Sequence, residues 1–238
     1  MKTLYVDLDD TLIYTQYKFN QASVDCMKAI NHFFGVSNPH PKAVVDHFID
    51  LELDNASKFG FKKIRFANSW VETYRFFVER LDCEYDLAVE DQIFEIANQV
   101  NEPPFIMCDG ADEAIADALK YTKDFFILTM GDESVQKAKI ETLPSIIQDN
   151  IREIYVVAKK DTNTFKEIIG KRNPKDCVMI GNSLRSDIVP AVKTGAYAVH
   201  IPVETWTYDI HNEPIYYNKL YTIPSIKQLP NILKAINE

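Results

Sequence analysis

Five short apolar segments rich in β-forming residues punctuate the chain, at residues 3–8, 124–130, 154–158, 177–181 and 196–201. Between the later four lie stretches with helical spacing. Residues 134–143 carry Val135, Ala138 and Ile140 on one face; residues 162–169 carry Phe165, Ile168 and Ile169; residues 186–194 carry Ile188, Val189 and Val192. Further helices are predicted over residues 112–121, ahead of the second strand, and over 225–236 at the C-terminal end. Strands alternating with helices predict βαβ units, and hence an α/β, Rossmann-like parallel sheet with right-handed crossovers.

Residues 15–100 break that rhythm. They show almost no alternation of period two, and Phe33, Phe34, Phe48, Phe59, Phe66, Trp70, Phe76 and Phe77 recur at helix-like intervals. This stretch predicts three to five helices inserted between the first and second strands, with the aromatic stripe as their own core. Asn101-Glu102-Pro103-Pro104 is a helix stop and a return linker. The expected organisation is a core domain of residues 1–14 and 101–238, with an α-helical domain of residues 15–100.

At 238 residues the chain is long enough for a full core plus an insert. Its 26 basic and 35 acidic side chains leave a net charge of −9, with no basic block. That argues against nucleic acid or an anionic membrane as a partner. Cys26, Cys83, Cys108 and Cys177 are scattered without a CxxC pair, so zinc or a disulfide framework is not expected, and reduced thiols in a cytoplasmic protein are. No apolar run approaches the ~18 residues that a membrane span needs, and no secretory signal is visible at the N-terminus.

The first strand runs into Asp7-Leu8-Asp9-Asp10-Thr11-Leu12. On an extended chain the i and i+2 side chains share a face, so Asp7 and Asp9 are expected to face one site. Two close anions need a cation between them, and Mg²⁺ suits oxygen ligands. Three other strand ends add matching groups. Thr129 ends the second strand before Met130-Gly131-Asp132; Lys159 and Lys160 follow the third; Gly181-Asn182-Ser183 and Asp187 follow the fourth. In open α/β sheets, ligands bind beyond the carboxyl ends of strands. Singly, each of these is an ordinary turn, cap or solvated residue. Their joint order is what carries information.

With those four stretches in sequence order, the chain resembles the haloacid dehalogenase superfamily, whose motifs are DxDx[TV], a strand-ending Ser or Thr, a Lys, and a Gly-Asp-rich acidic segment. DLDDTL at 7–12, ILTMGD at 127–132, KKDTNTF at 159–165 and GNSLRSD at 181–187 match in order. The helical insert sits where that family's type 1 cap domains sit. The resemblance implies a Mg²⁺-dependent phosphatase acting on a small phosphorylated metabolite, as a monomer or homodimer. Asp7 would be the nucleophile that becomes an aspartyl-phosphate, and Asp9 the general acid and base. Thr129, Gly131 and Lys160 would hold the phosphoryl group. Asp7, the Asp9 carbonyl, Asn182 and Asp187 would ligate Mg²⁺. Lys160 is preferred over Lys159 as the site lysine, both spacings being compatible with the motif.

The resemblance also marks a departure. Asn182 stands where many relatives carry a metal-binding Asp, so a catalytically weak phosphate- or partner-binding relative is one alternative function. A sugar-phosphate mutase, sharing all four motifs, is another. Phosphonatases use a cap lysine, and Lys18, Lys28 and Lys42 fall in the insert without distinguishing context. Arg65, Asn68, Arg75 and Lys18 are polar residues that could meet a substrate or simply form solvated helix faces. Glu204 and Trp206, after the fifth strand, could frame the site mouth. His47, His200 and Tyr5 are read as packing or surface residues.

Overall fold

The computed structural model describes residues 1–35, 39–203 and 218–238. Two compact units result: Met1–Tyr14 with Phe105–Glu238, and Thr15–Pro104. Residues 101–104, expected with the core, fall in the helical unit. Polar contacts explain the assignment: Asn101 Nδ2 donates to the Lys63 carbonyl at 2.9 Å, Lys63 Nζ meets Glu102 Oε1 at 3.1 Å, and Lys18 Nζ donates to the Glu102 carbonyl.

The chain opens with β1 (Lys2–Val6) and a two-residue strand, β2 (Ile13–Tyr14). The helical unit follows as α1 (Gln16–Phe34), α2 (Pro41–Phe59), α3 (Arg65–Arg80) and α4 (Leu87–Asn98). The chain returns through β3 (Ile106–Met107), which pairs antiparallel with β2. It then alternates α5 (Ala111–Ala118), β4 (Thr122–Met130), α6 (Glu133–Ile140), α7 (Ser145–Gln148), β5 (Ile151–Val157), α8 (Thr162–Ile169) and β6 (Cys177–Gly181). A π-helical turn, Leu184–Ile188, runs into α9 (Val189–Lys193), followed by β7 (Tyr197–His200), β8 (Leu220–Thr222) and α10 (Leu229–Asn237).

Six strands form one parallel sheet in the order β5-β4-β1-β6-β7-β8. From β1 the chain builds outward through β4 and β5, then returns to the other side of β1 for β6. The carboxyl end of β1, flanked by β4 and β6, is therefore the point where strand order reverses and a ligand crevice is expected.

Side-chain parity explains why the central strands carry apolar residues on both faces. Leu4, Val6 and Leu8 share one face with Phe125, Ile127, Val178, Ile180 and Val199, covered by Ala114 and Ile115 of α5 and Leu229 and Leu233 of α10. Tyr5 points the other way, to Phe126, Leu128, Met179 and Ala198, covered by Phe165 and Ile169 of α8 and Val192 of α9. Tyr5 stacks on Phe126 with ring centroids 5.1 Å apart, as a packing residue. Four of the five expected strands are observed within two residues of both expected ends; β5 begins three residues earlier. The β2–β3 pair and β8 were not expected, being too short to display a period.

The helical unit has a separate core. Trp70 of α3 stacks on Phe48 of α2, centroids 4.0 Å apart, and packs with Cys26 and Ile30 of α1 and Ile93 and Ala97 of α4. A buried polar group sits among these helices. Glu52 is ion-paired with Arg65, Ser69 Oγ donates to Glu52 Oε2 at 2.6 Å, and Asn55 Nδ2 donates to Ser69 Oγ at 3.0 Å. Burial raises the Glu52 carboxyl above its usual range, opposed by Arg65 and the Ser69 hydroxyl. Trp70→Ala should remove the centre of this core and destabilise the unit by about 3–5 kcal/mol. Urea denaturation followed by helical circular dichroism measures this, and a loss below ~1 kcal/mol would show that Trp70 does not hold the helices together.

Candidate active site

The Asp7 main-chain N–H donates to the Ile180 carbonyl at 2.9 Å, extending the β1–β6 ladder one residue beyond β1. This pins the Asp7 backbone at the sheet edge with its side chain buried. Lys160 Nζ ion-pairs with Asp7 Oδ1 and donates to Asp187 Oδ1 at 2.7 Å. Thr11 Oγ1 lies 3.4 Å from Asp7 Oδ2 as a donor. Three sequence-predicted residues, Asp7, Lys160 and Asp187, thus meet in one cluster from the ends of β1, β5 and β6.

Local structure explains the convergence. Asp161 caps α8, its Oδ1 accepting from the N–H groups of Asn163 and Thr164 at 3.0 and 2.9 Å, which starts the helix two residues after Lys160 and fixes that backbone. The Thr164 N–H bond and the neighbouring Lys159 ammonium hold the Asp161 carboxyl down at about 2. Asp187 lies in the π-helical turn, a geometry often found at functional sites. Its Oδ2 accepts from the Ser183 N–H at 3.0 Å. This fit depends on Gly181, where a Cβ would lie 2.3 Å from Asp187 Oδ2. Lys159 takes the other course: it is exposed and pairs with Asp161 at 2.9 Å.

Two buried carboxylates share one buried ammonium. Burial raises the Asp7 pKa, and the charges of Asp187 and Asp9 add to the rise, against the opposing pull of Lys160. For Lys160, burial alone would lower the pKa, but Asp187 and Asp7 outweigh it and the net direction is up. The cluster sets two carboxyl groups against one ammonium, with hard oxygen atoms in a dry setting, a donor chemistry that fits Mg²⁺. Among the described residues no three His, Cys, Asp or Glu side chains form a closed cage. A cation here would draw on Asp7 and Asp187, with amide and carbonyl oxygens and water completing its shell.

Asp9 departs from the simple extended picture. Leu8 keeps the alternation of Leu4 and Val6 in the core, yet Asp7 and Asp9 take different counter-ions. Asp9 Oδ1 accepts from Lys139 Nζ at 2.6 Å, and Asp9 Oδ2 from Gln136 Nε2 at 2.7 Å. Both donors lie on α6 and both are buried. Gln136 Nε2 also lies 2.9 Å from Thr129 Oγ1 and 2.6 Å from the Met130 carbonyl. Thr129 is fully buried at the end of β4, its hydroxyl 3.4 Å from the Met130 carbonyl. Gly131, at φ +142°, leaves room for Gln136: a Cβ there would lie 2.9 Å from Gln136 Nε2. Gln136 and Lys139 were not anticipated. Their only sequence signal is two polar residues three apart on the helix that follows Thr129.

The remaining candidates have contacts of their own. The Asn182 carbonyl lies 3.0 Å from His200 Nε2, and burial lowers the His200 pKa. Within the helical unit, Arg65 is engaged by Glu52, and Arg75 forms a two-pronged pair with Glu90 at 2.6 Å each. Lys18 is bound to the Glu102 carbonyl, Lys28 and Lys42 pair with Asp25 and Asp46, and Asn68 is half-buried on α3. His47 stacks on Phe76 at 3.8 Å, a packing role. Glu204 and Trp206 lie outside the described residues.

Two outcomes are expected of this cluster. The raised Asp7 pKa means its protonated form favours the fold below the ordinary carboxylate range, an advantage lost as pH climbs through the raised folded value. Asp7→Asn should therefore flatten the rise of instability between about pH 5 and 8 in EDTA; melting curves across pH measure it, and parallel wild-type and variant profiles would contradict it. Gly181→Ala should push Asp187 off Lys160 and cost about 1–3 kcal/mol. Thermal denaturation reads this, and an unchanged melting temperature would show that the close approach is not needed.

No protein-family model and no curated protein matches the chain. Solved structures do. A haloacid dehalogenase-like family hydrolase from Xanthomonas campestris is similar over 100% of this chain and 92% of its own, with 25% identity and a TM-score of 0.80. The HAD-hydrolase YfnB from Bacillus subtilis, solved bound to magnesium, is 19% identical with a TM-score of 0.60, covering 98% of both chains. A HAD phosphatase from Thermococcus onnurineus is 17% identical with a TM-score of 0.57, again over 98% of both. Phosphatases and dehalogenases both occur among the similar structures. No helix among the described residues is long and apolar enough to cross a membrane. The chain has the haloacid dehalogenase-like hydrolase fold, with Asp7, Thr129, Lys160 and Asp187 at the strand ends where the four sequence motifs fall.

Proposed function

We propose that the protein is a Mg²⁺-dependent phosphatase that hydrolyses a small phosphorylated metabolite through an aspartyl-phosphate on Asp7. The observation that carries this reading is Asp9, a second carboxylate two residues beyond the buried Asp7 and held in place by Gln136 and Lys139. A halide leaving group needs no proton, whereas an alkoxide does, so a fixed acid beside the nucleophile favours phosphate esters over haloacids.

In the first step an Asp7 carboxylate oxygen attacks phosphorus, a P–O bond forms, and the bond to the leaving oxygen breaks as Asp9 delivers it a proton. In the second step Asp9 takes a proton from water as that water attacks the phosphorus, releasing inorganic phosphate and restoring Asp7. Lys160, already on Asp7 and Asp187, balances charge spreading over the phosphoryl oxygens, and the Thr129 hydroxyl can exchange its long contact to the Met130 carbonyl for one of them. Asp7, Asp187, Asn182 and the Asp9 carbonyl would hold Mg²⁺. When bound, that ion supplies positive charge that keeps Asp7 ionised and lets an anionic ester approach. The magnesium in the Bacillus subtilis structure supports this assignment.

Purified protein should release p-nitrophenolate from p-nitrophenyl phosphate with Mg²⁺ and lose that activity in EDTA. Asp7→Asn should lower turnover by about 10³-fold or more. Well-folded protein inert under both conditions would instead favour a phosphate- or partner-binding role, which Asn182 motivates. A panel of phosphorylated metabolites then identifies the physiological ester.

A further inference from the structure

We propose that Gln136 and Lys139 are positioning residues: a two-point clamp on α6 that fixes both oxygens of Asp9 and ties them to the phosphoryl-binding end of β4. The inference rests on the phosphatase reading above. Asp9 is the more exposed of the two motif carboxylates, its side chain 30% accessible against 7% for Asp7, and in a loop it would sample several rotamers. The clamp removes that freedom. Lys139 Nζ engages Oδ1 at 2.6 Å and Gln136 Nε2 engages Oδ2 at 2.7 Å, from side chains one helical turn apart on the same face.

Four further features mark this as a built arrangement. Lys139 is itself buried, its side chain 8% accessible, with its ammonium 5.9 Å from the Phe105 ring centroid. Gln136 Nε2 reaches Thr129 Oγ1 at 2.9 Å as well as Asp9, so one amide spans the proton-transfer and phosphoryl-binding groups. Its Oε1 is buried without a hydrogen-bond partner among the described residues, a destabilising feature tolerated to keep the nitrogen on Asp9. Gly131, lacking a Cβ, leaves the space that this pose requires.

The clamp leaves the chemistry open. Each Asp9 oxygen has two lone-pair directions and gives one to the clamp. The other remains for the proton that goes to the leaving oxygen and for the one later taken from water. Neither Gln136 nor Lys139 gains or loses a proton.

The test compares two esters on Lys139→Met, Gln136→Met and Lys139→Arg, each checked for wild-type circular dichroism. p-Nitrophenolate leaves without an acid; the alkoxide of glycerol 2-phosphate does not. Lys139→Met and Gln136→Met should lower kcat for glycerol 2-phosphate about 10- to 100-fold with KM changed less than about threefold. For Lys139→Met the rapid first-turnover release of p-nitrophenolate should stay within about threefold of wild type, and Lys139→Arg should recover a good part of the alkyl-ester rate, whereas Gln136→Met, which also frees Thr129, should slow both esters. Equal losses on both esters for Lys139→Met, a change confined to KM, or no change would overturn the clamp while leaving the phosphatase reading intact. Wild-type protein inert toward both esters with Mg²⁺ would overturn the phosphatase reading, and the clamp with it.

Discussion

One buried ammonium between two buried carboxylates is the interaction on which the site depends. Lys160 lies between Asp7 and Asp187, and each of the three is carried by the end of a different strand. Removing either sign of charge would leave the other uncompensated in a dry place, which is strongly unfavourable. The arrangement persists because the surroundings over-determine it. Asp7 is held by a ladder bond to Ile180, Lys160 by the Asp161 cap, and Asp187 by the Ser183 N–H and the missing side chain at Gly181.

The sheet makes this triad possible and also separates Asp9 from it. A parallel sheet brings β1, β5 and β6 to a common carboxyl edge, and the reversal of strand order at β1 opens space there. Beyond β1, Leu8 stays in the core with Leu4 and Val6, and Asp9 finds a second cation on α6. The two carboxylates therefore have different partners and different exposures. Neighbouring carboxyl groups with unlike environments are suited to unlike tasks, attack for one and proton transfer for the other.

Within the helical unit, several polar side chains are paired with one another. Arg65, a candidate for substrate contact, is bound to Glu52 and backed by Ser69 and Asn55; Arg75 is bound to Glu90. A buried ion pair of this kind specifies how helices pack more than it stabilises them. Around it, Trp70 and Phe48 with Cys26, Ile30, Ile93 and Ala97 give the unit a core independent of the sheet.

The class of fold, the order of its strands and helices along the chain, the helical insert and the four motif positions were all legible in the amino-acid sequence. Those features are local: apolar runs and helical spacing report burial directly, and a carboxylate, hydroxyl or lysine just after a strand is visible in one dimension. Tertiary structure alone decided which lysine enters the cluster, since Lys159 and Lys160 differ only in the direction set by the strand end and the Asp161 cap. It alone placed residues 101–104 with the helices, added β8 and the β2–β3 pair, and gave Asp9 its partners. Gln136 and Lys139 lie 127 and 130 residues from Asp9, and their helix shows only an ordinary mixed surface in sequence. Contacts across such separations depend on how elements pack, and no local pattern encodes them.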